Sequence, residues 1–136
     1  MGFQFRFGTI QKVKKNVRDE KRADFQDSLH TQLEISTRLD QLCDELQQLE
    51  TERTELFQKG IISMSLLVFY HQCESELHRQ ITRTKQELAD ASALSESRRT
   101  SLLQADCEVK SFEKLEDRRR LQYEENLARR EARLCS

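Results

Sequence analysis

Between residues 35 and 56, Ile35, Leu39, Leu42, Leu46, Leu49 and Leu56 follow spacings of four, three, four, three and seven. That spacing places them on one stripe of a helix, the seam of a coiled coil. Only Arg53 interrupts it. Upstream, Ile10, Val13 and Val17 are followed by Phe25, Leu29 and Leu33. The eight-residue step from Val17 to Phe25 breaks the heptad, so a local change of supercoil is expected there. A second register starts at Leu67. Its a positions are Leu67, Glu74, Ile81, Leu88, Ser95, Leu102, Val109, Glu116 and Tyr123. Its d positions are Tyr70, Leu77, Thr84, Ala91, Arg98, Ala105, Phe112, Arg119 and Asn126, and eleven of these 18 residues are apolar. Polar seam residues cost stability but can fix register.

Gly60 is the only Gly after Gly8, and the chain has no Pro. It separates two runs far longer than an average helix. A Gly there suits a helix C-terminus that needs positive φ, and Ser63 or Ser65 can cap the helix that follows. The expected fold is therefore all-α: a long antiparallel two-helix coiled-coil hairpin forming a single domain over residues 1–136. Helix 1 is expected at about 9–59, the turn at about 60–64 and helix 2 at about 65–134. At 1.5 Å per residue the helices measure about 75 and 105 Å, so Thr9 should lie near residue 112. The last ~20 residues then overhang without a partner in the chain. On the outer faces, Glu34–Arg38, Glu116–Arg120 and Glu125–Arg129 have the spacing of ion pairs, each worth only ~0.2–0.5 kcal/mol.

Composition narrows the function. Charged residues make up 35 % of the 136 and apolar residues 36 %, close to the balance of long-helix proteins. With Gly only at positions 2, 8 and 60, neither phosphate-cradling Gly-rich loop can be built. No apolar run approaches the ~20 residues that span a bilayer, and no secretory signal is visible. Residues 1–18 hold five basic and no acidic side chains, but no Ser and one Thr; a basic helix fits them better than a transit peptide. Cys43, Cys73, Cys107 and Cys135 are widely spaced, as expected of reduced thiols in the cytoplasm.

Charge is segregated. Residues 1–22 carry seven basic and two acidic side chains, whereas residues 23–59 carry three and nine. The clusters Arg118-Arg119-Arg120 and Arg129-Arg130 lie near the C-terminus. A hairpin brings both termini to one end, so the two ends should suit different partners. The basic residues could bind phosphates, but the net charge is −1 and the acidic middle would repel a duplex. Phe3, Phe5 and Phe7 alternate, which fits an extended lead-in better than a membrane-surface helix. His71, Cys73 and His78 lack metal-ligand spacing, and Glu113, Glu116 and Asp117 form a charged helix face rather than an acid–base pair. No catalytic residue, metal or cofactor is expected. Leu66, Leu67, Val68 and Phe69 are consecutive, so at least two must face outward and offer a sticky surface near the turn.

The order of these features resembles the FliJ family of flagellar export proteins, which is related to the stalk proteins of injectisomes. Phe3-Gln4-Phe5-Arg6-Phe7 runs into Lys12-Val13-Lys14-Lys15, and Gly60-Ile61 precedes a Tyr- and Leu-containing second helix. The chain closes with Arg99, Leu102, Ala105, Lys110, Glu113-Lys114-Leu115, Tyr123-Glu124 and Arg130-Glu131. The block from Lys110 to Leu115 with the two dipeptides is the most telling part, and the resemblance covers nearly the whole chain. The end Leu134-Cys135-Ser136 departs from relatives that carry a further acidic segment.

The resemblance implies a non-enzymatic stalk, similar to that of rotary ATPases. The end with both termini would enter and stimulate the hexameric flagellar export ATPase through Lys12, Lys14, Lys15, Arg18, Arg118, Arg119 and Arg120. Leu42, Leu49, Tyr70, Cys73 and Leu77 would meet the cytoplasmic domain of the export-gate membrane protein. Secretion chaperones would be further partners. The protein would be cytoplasmic, reaching the inner membrane at the flagellar base only through partners. The alternatives are a homo-oligomeric coiled-coil scaffold or adaptor, an injectisome stalk protein, and a nucleic-acid-binding helical arm.

Overall fold

A computed structural model describes residues 2–135. Two helices carry the chain, α1 (Gly8–Gln58) and α2 (Met64–Cys135). They pack against each other as an all-α helical hairpin. The packing divides into two compact units. A turn unit spans Asp27–Glu96, and a terminal unit combines residues up to Gln26 with those from Ser97 onward.

In the turn unit, Gly60 has φ 79°. The Ile61 amide donates to the Leu56 carbonyl at 3.0 Å and the Gly60 amide to the Phe57 carbonyl at 3.1 Å. These two bonds are a Schellman motif, which ends α1 by satisfying carbonyls that the helix leaves open. Ser63 then caps α2: its Oγ accepts from the Leu66 amide at 3.1 Å, and its carbonyl from the Leu67 amide at 3.0 Å. Ile35, Tyr70, Ile81 and Ala91 are buried. Leu39, Leu42, Leu46, Leu49 and Leu56 are half-buried beside them, as expected where each helix buries one stripe.

The terminal unit buries Ala105 and Val109, and Val109 is fully enclosed. All of the buried α2 residues occupy the a or d positions read from the sequence: Tyr70, Ile81, Thr84, Ala91, Ser95, Ala105 and Val109.

Upstream of Ile35, α1 departs from the expected register. Ile10, Val13, Val17, Leu29 and Leu33 are exposed, while Gln11 and Ser28 are buried. The inward positions 11, 18, 25, 28, 32 and 35 simply continue the downstream heptad, with Gln11, Arg18, Phe25, Ser28 and Gln32 filling it. No break of register is needed, because polar seam residues find partners. Gln11 Nε2 donates to Glu116 Oε2 at 3.0 Å. Gln32 Nε2 donates to Ser92 Oγ at 3.0 Å, and Arg98 Nη1 to the Asp24 carbonyl at 2.9 Å. Paired polar groups remove most of the penalty of burial.

Two outer ion pairs also differ from expectation: among the described residues, Glu125 and Arg129 on the exposed end of α2 do not pair with each other, and neither do Glu34 and Arg38. Arg38 reaches across to Glu87 at 3.4 Å, and Glu34 instead contacts His30 at 2.9 Å. Arg120 does pair with Glu116, at 3.3 Å.

Candidate functional site

The terminal unit begins with an aromatic clasp. Residues 2–7 precede α1 and lie along α2, where Phe7 meets Phe112 with ring centroids 6.5 Å apart and Phe3 meets Tyr123 at 5.7 Å. Edge-on and tilted ring pairs of this kind add about 0.5–1.5 kcal/mol beyond area burial. Arg119 lies over the Phe7 ring at 5.0 Å and Arg120 over the Phe3 ring at 5.4 Å, within cation–π range. The clasp carries the covered part of α2 to Tyr123, further than helix pairing alone would take it. Residues 124–135 beyond it are exposed along their whole length, so the overhang is shorter than α1 by itself would leave.

The seven basic candidates divide by environment. Lys14 Nζ pairs with Glu108 at 2.9 Å, and Arg18 with Asp19 at 3.3 Å. Arg119 and Arg120 are engaged by the aromatic rings. Lys12 and Arg118 are exposed and Lys15 half-exposed, with no ion-pair partner among the described residues. Between these cations lies a feature that the sequence reading assigned to the core: the exposed stripe Ile10, Val13 and Val17, with 47, 54 and 36 % of each residue's surface accessible. Extending the Ile35–Leu56 heptad backward would have found it, since that register lands on Gln11 and Arg18 rather than on their apolar neighbours.

In the turn unit the five other candidates are not equivalent. Tyr70 is buried and Leu42 half-buried in the seam. Leu49, Cys73 and Leu77 instead line a groove of about 540 Å³, completed by Phe69, Gln48 and Gln72 and edged by Glu45, Glu52 and Glu76. Phe69 and Val68 are the exposed members of the Leu66–Phe69 run, and Leu66 and Leu67 turn inward. Ile61, Ile62 and Met64 add exposed apolar surface at the turn.

Neither unit has the makings of a metal centre: among the described residues no three His, Cys, Asp or Glu side chains converge to hold one. All four cysteines are free thiols. No described helix is long and apolar enough to cross a membrane.

A helical hairpin in which several polar seam residues, Gln11, Gln32, Arg53 and Arg98 among them, pair across the helices, and whose exposed faces differ between its two units, is a coiled-coil protein. The family model of the flagellar FliJ protein matches residues 3–135, nearly the whole chain, and the chain belongs to that family. It is thus a flagellar export-related protein, of a family whose members are non-enzymatic export components. No curated protein and no solved structure gives a significant match.

Proposed function

We propose that the protein is a stalk and coupling subunit of the cytoplasmic flagellar export apparatus. The terminal unit inserts into the hexameric export ATPase and stimulates it. The groove of the turn unit meets the cytoplasmic domain of the export-gate membrane protein, and secretion chaperones dock on the same hairpin. The protein works in the cytoplasm and reaches the inner membrane at the flagellar base through these partners.

The observation that carries this reading is the terminal unit's pairing of unneutralised cations, Lys12, Lys15 and Arg118, with an exposed apolar stripe. Cations beside apolar surface supply both steering and buried contact area to a docking protein. Stimulation then requires that the contacts differ between nucleotide states of the ring, because only differential binding shifts an equilibrium.

The test is hydrolysis by the cognate export ATPase. The intact chain should raise the rate, and Lys12→Glu, Lys15→Glu and Arg118→Glu together should abolish most of the increase while leaving helical content unchanged. An ATPase indifferent to the intact chain would refute the proposal. Retained binding of the triple variant to the export-gate domain would show that the two surfaces act separately.

A further inference from the structure

We infer that the groove of the turn unit receives the exposed stripe at the start of α1 from a second copy of this chain, giving a head-to-tail association. The inference does not rest on the export reading.

The two faces complement each other in shape class. The groove is an apolar channel between helices, floored by Leu49, Phe69, Cys73 and Leu77. Ile10, Val13 and Val17 recur at three and four residues on one helix, the spacing with which a helix lays anchors into a groove. All three are exposed, so they are available without any rearrangement of the hairpin.

They also complement each other in charge. Glu45, Glu52 and Glu76 edge the groove, and among the described residues no salt bridge neutralises Glu45 or Glu52. Val13 lies between Lys12 and Lys15, neither of which has an ion-pair partner among the described residues, and residues 1–22 carry seven basic against two acidic side chains. An acidic rim around apolar residues selects a basic amphipathic helix, and α1 of this chain begins as one. An anionic lipid surface is a poorer occupant for the groove, because the acidic rim would be repelled by it. The contact is heterologous, since groove meets stripe rather than its own copy. Each added molecule therefore leaves one groove and one stripe open.

Sedimentation of the full chain with two blocked variants tests this. One variant, Val13→Glu with Val17→Glu, loses the stripe. The other, Phe69→Lys with Glu52→Lys, loses the groove. All four positions are exposed, and circular dichroism checks that helicity is retained. The native chain should gain mass with concentration between about 5 and 500 µM, the range of weak specific contacts. Each variant alone should stay monomeric, and their equimolar mixture should form a one-to-one complex that grows no further. Raising salt from about 0.05 to 0.5 M should weaken that complex about tenfold or more. A native chain that stays monomeric throughout overturns the inference. So do variants that fail to pair when mixed, and so does an association that both variants retain.

Discussion

Arg53 and Glu74 interrupt the seams of α1 and α2, and they are each other's partner. Arg53 Nη1 donates to Glu74 Oε2 at 2.9 Å and lies 2.8 Å from Oε1. The glutamate side chain is only 14 % accessible and the arginine 36 %. A carboxylate this enclosed depends on its one cation. Arg53→Ala should therefore destabilise the chain by about 1–3 kcal/mol, less than a fully buried pair would cost because water reaches the guanidinium. Arg53→Leu with Glu74→Leu should equal or exceed native stability, since an apolar pair completes the seam. Urea denaturation of the single and double variants separates these outcomes. A double variant as weak as the single one would mean that the ion pair, not relief of an orphaned charge, supplies the stability.

This pair explains what was legible in the sequence and what was not. Each interruption was visible as a polar residue in an apolar stripe. That the two face each other depends on the alignment of the helices, which the turn geometry sets. Downstream of Ile35 the apolar residues outnumber the exceptions, so periodicity alone gave the inward face. Upstream, Ile10, Val13 and Val17 mimic a seam that the structure exposes. Hydrophobicity misled there because Gln11 and Arg98 gain their partners, Glu116 and the Asp24 carbonyl, from the other helix. Phe3, Phe5 and Phe7 do lie ahead of α1, with a turn at Arg6 and Phe7, but nothing in their alternation revealed that Phe112 and Tyr123 would receive them. Arg119 and Arg120, which in sequence are simply members of a cationic cluster, lie against those rings.

Ser95 is a polar seam residue with no charged partner opposite it. Its Oγ is buried without a hydrogen-bond partner, which costs about 1–3 kcal/mol relative to a satisfied hydroxyl. Ser95→Ala should raise stability by about 1 kcal/mol, because the orphaned hydroxyl disappears and helix propensity improves. The midpoint of thermal unfolding should rise accordingly. An unchanged or lower midpoint would indicate that the hydroxyl is satisfied in solution.

The turn should be sensitive at two residues for different reasons. Gly60 has open space around its Cα, so Gly60→Ala meets no clash, but its φ of 79° is unfavourable for a side chain. The expected cost is about 1–2 kcal/mol, with Gly60→Asn less damaging because Asn tolerates the left-handed region. Ser63→Ala removes the cap bond to the Leu66 amide and should cost about 1 kcal/mol. Equal losses for Gly60→Ala and Gly60→Asn would argue against the backbone explanation.

Half-buried Asp106 and exposed Lys110 form a pair with Nζ and Oδ2 2.9 Å apart. The hydrogen bond from Lys110 holds the Asp106 carboxyl below its ordinary 3.8 against the opposing effect of desolvation, with the positive charges of Lys110, Arg18 and Arg22 assisting. The same hydrogen bond raises Lys110 above 10.5. For the aspartate, the stabilising contribution is present above 3.8 and is lost as pH falls through the lowered value. For the lysine it is present below 10.5 and is lost as pH rises through the raised one. The pair should therefore contribute constantly across neutral pH and fade only at the two extremes. Titration of the Asp106 carboxyl by NMR should give a value below 3.8 that returns toward it in Lys110→Met. No change on that substitution would remove Lys110 as the cause.

The aromatic clasp makes the order of the C-terminal part of α2 depend on the N-terminus. Phe3 and Phe7 each contact one ring and one arginine of α2, and Phe7 also lies under Arg6. An unsupported helical end is marginal in water, so the amides around Phe112–Tyr123 owe their protection to a segment more than a hundred residues away in sequence. Phe3→Ala with Phe7→Ala should speed hydrogen exchange there about tenfold, the equivalent of roughly 1.4 kcal/mol. Amides of the turn unit should be unaffected, because their protection comes from Ile35, Tyr70 and Ile81. Arg119→Lys should have a smaller effect than Arg119→Ala, since lysine keeps the charge over the Phe7 ring but loses the planar stack. Exchange at residues 112–123 that ignores both phenylalanines would show that α2 holds itself, and the clasp would then be a passenger on the helix rather than its support.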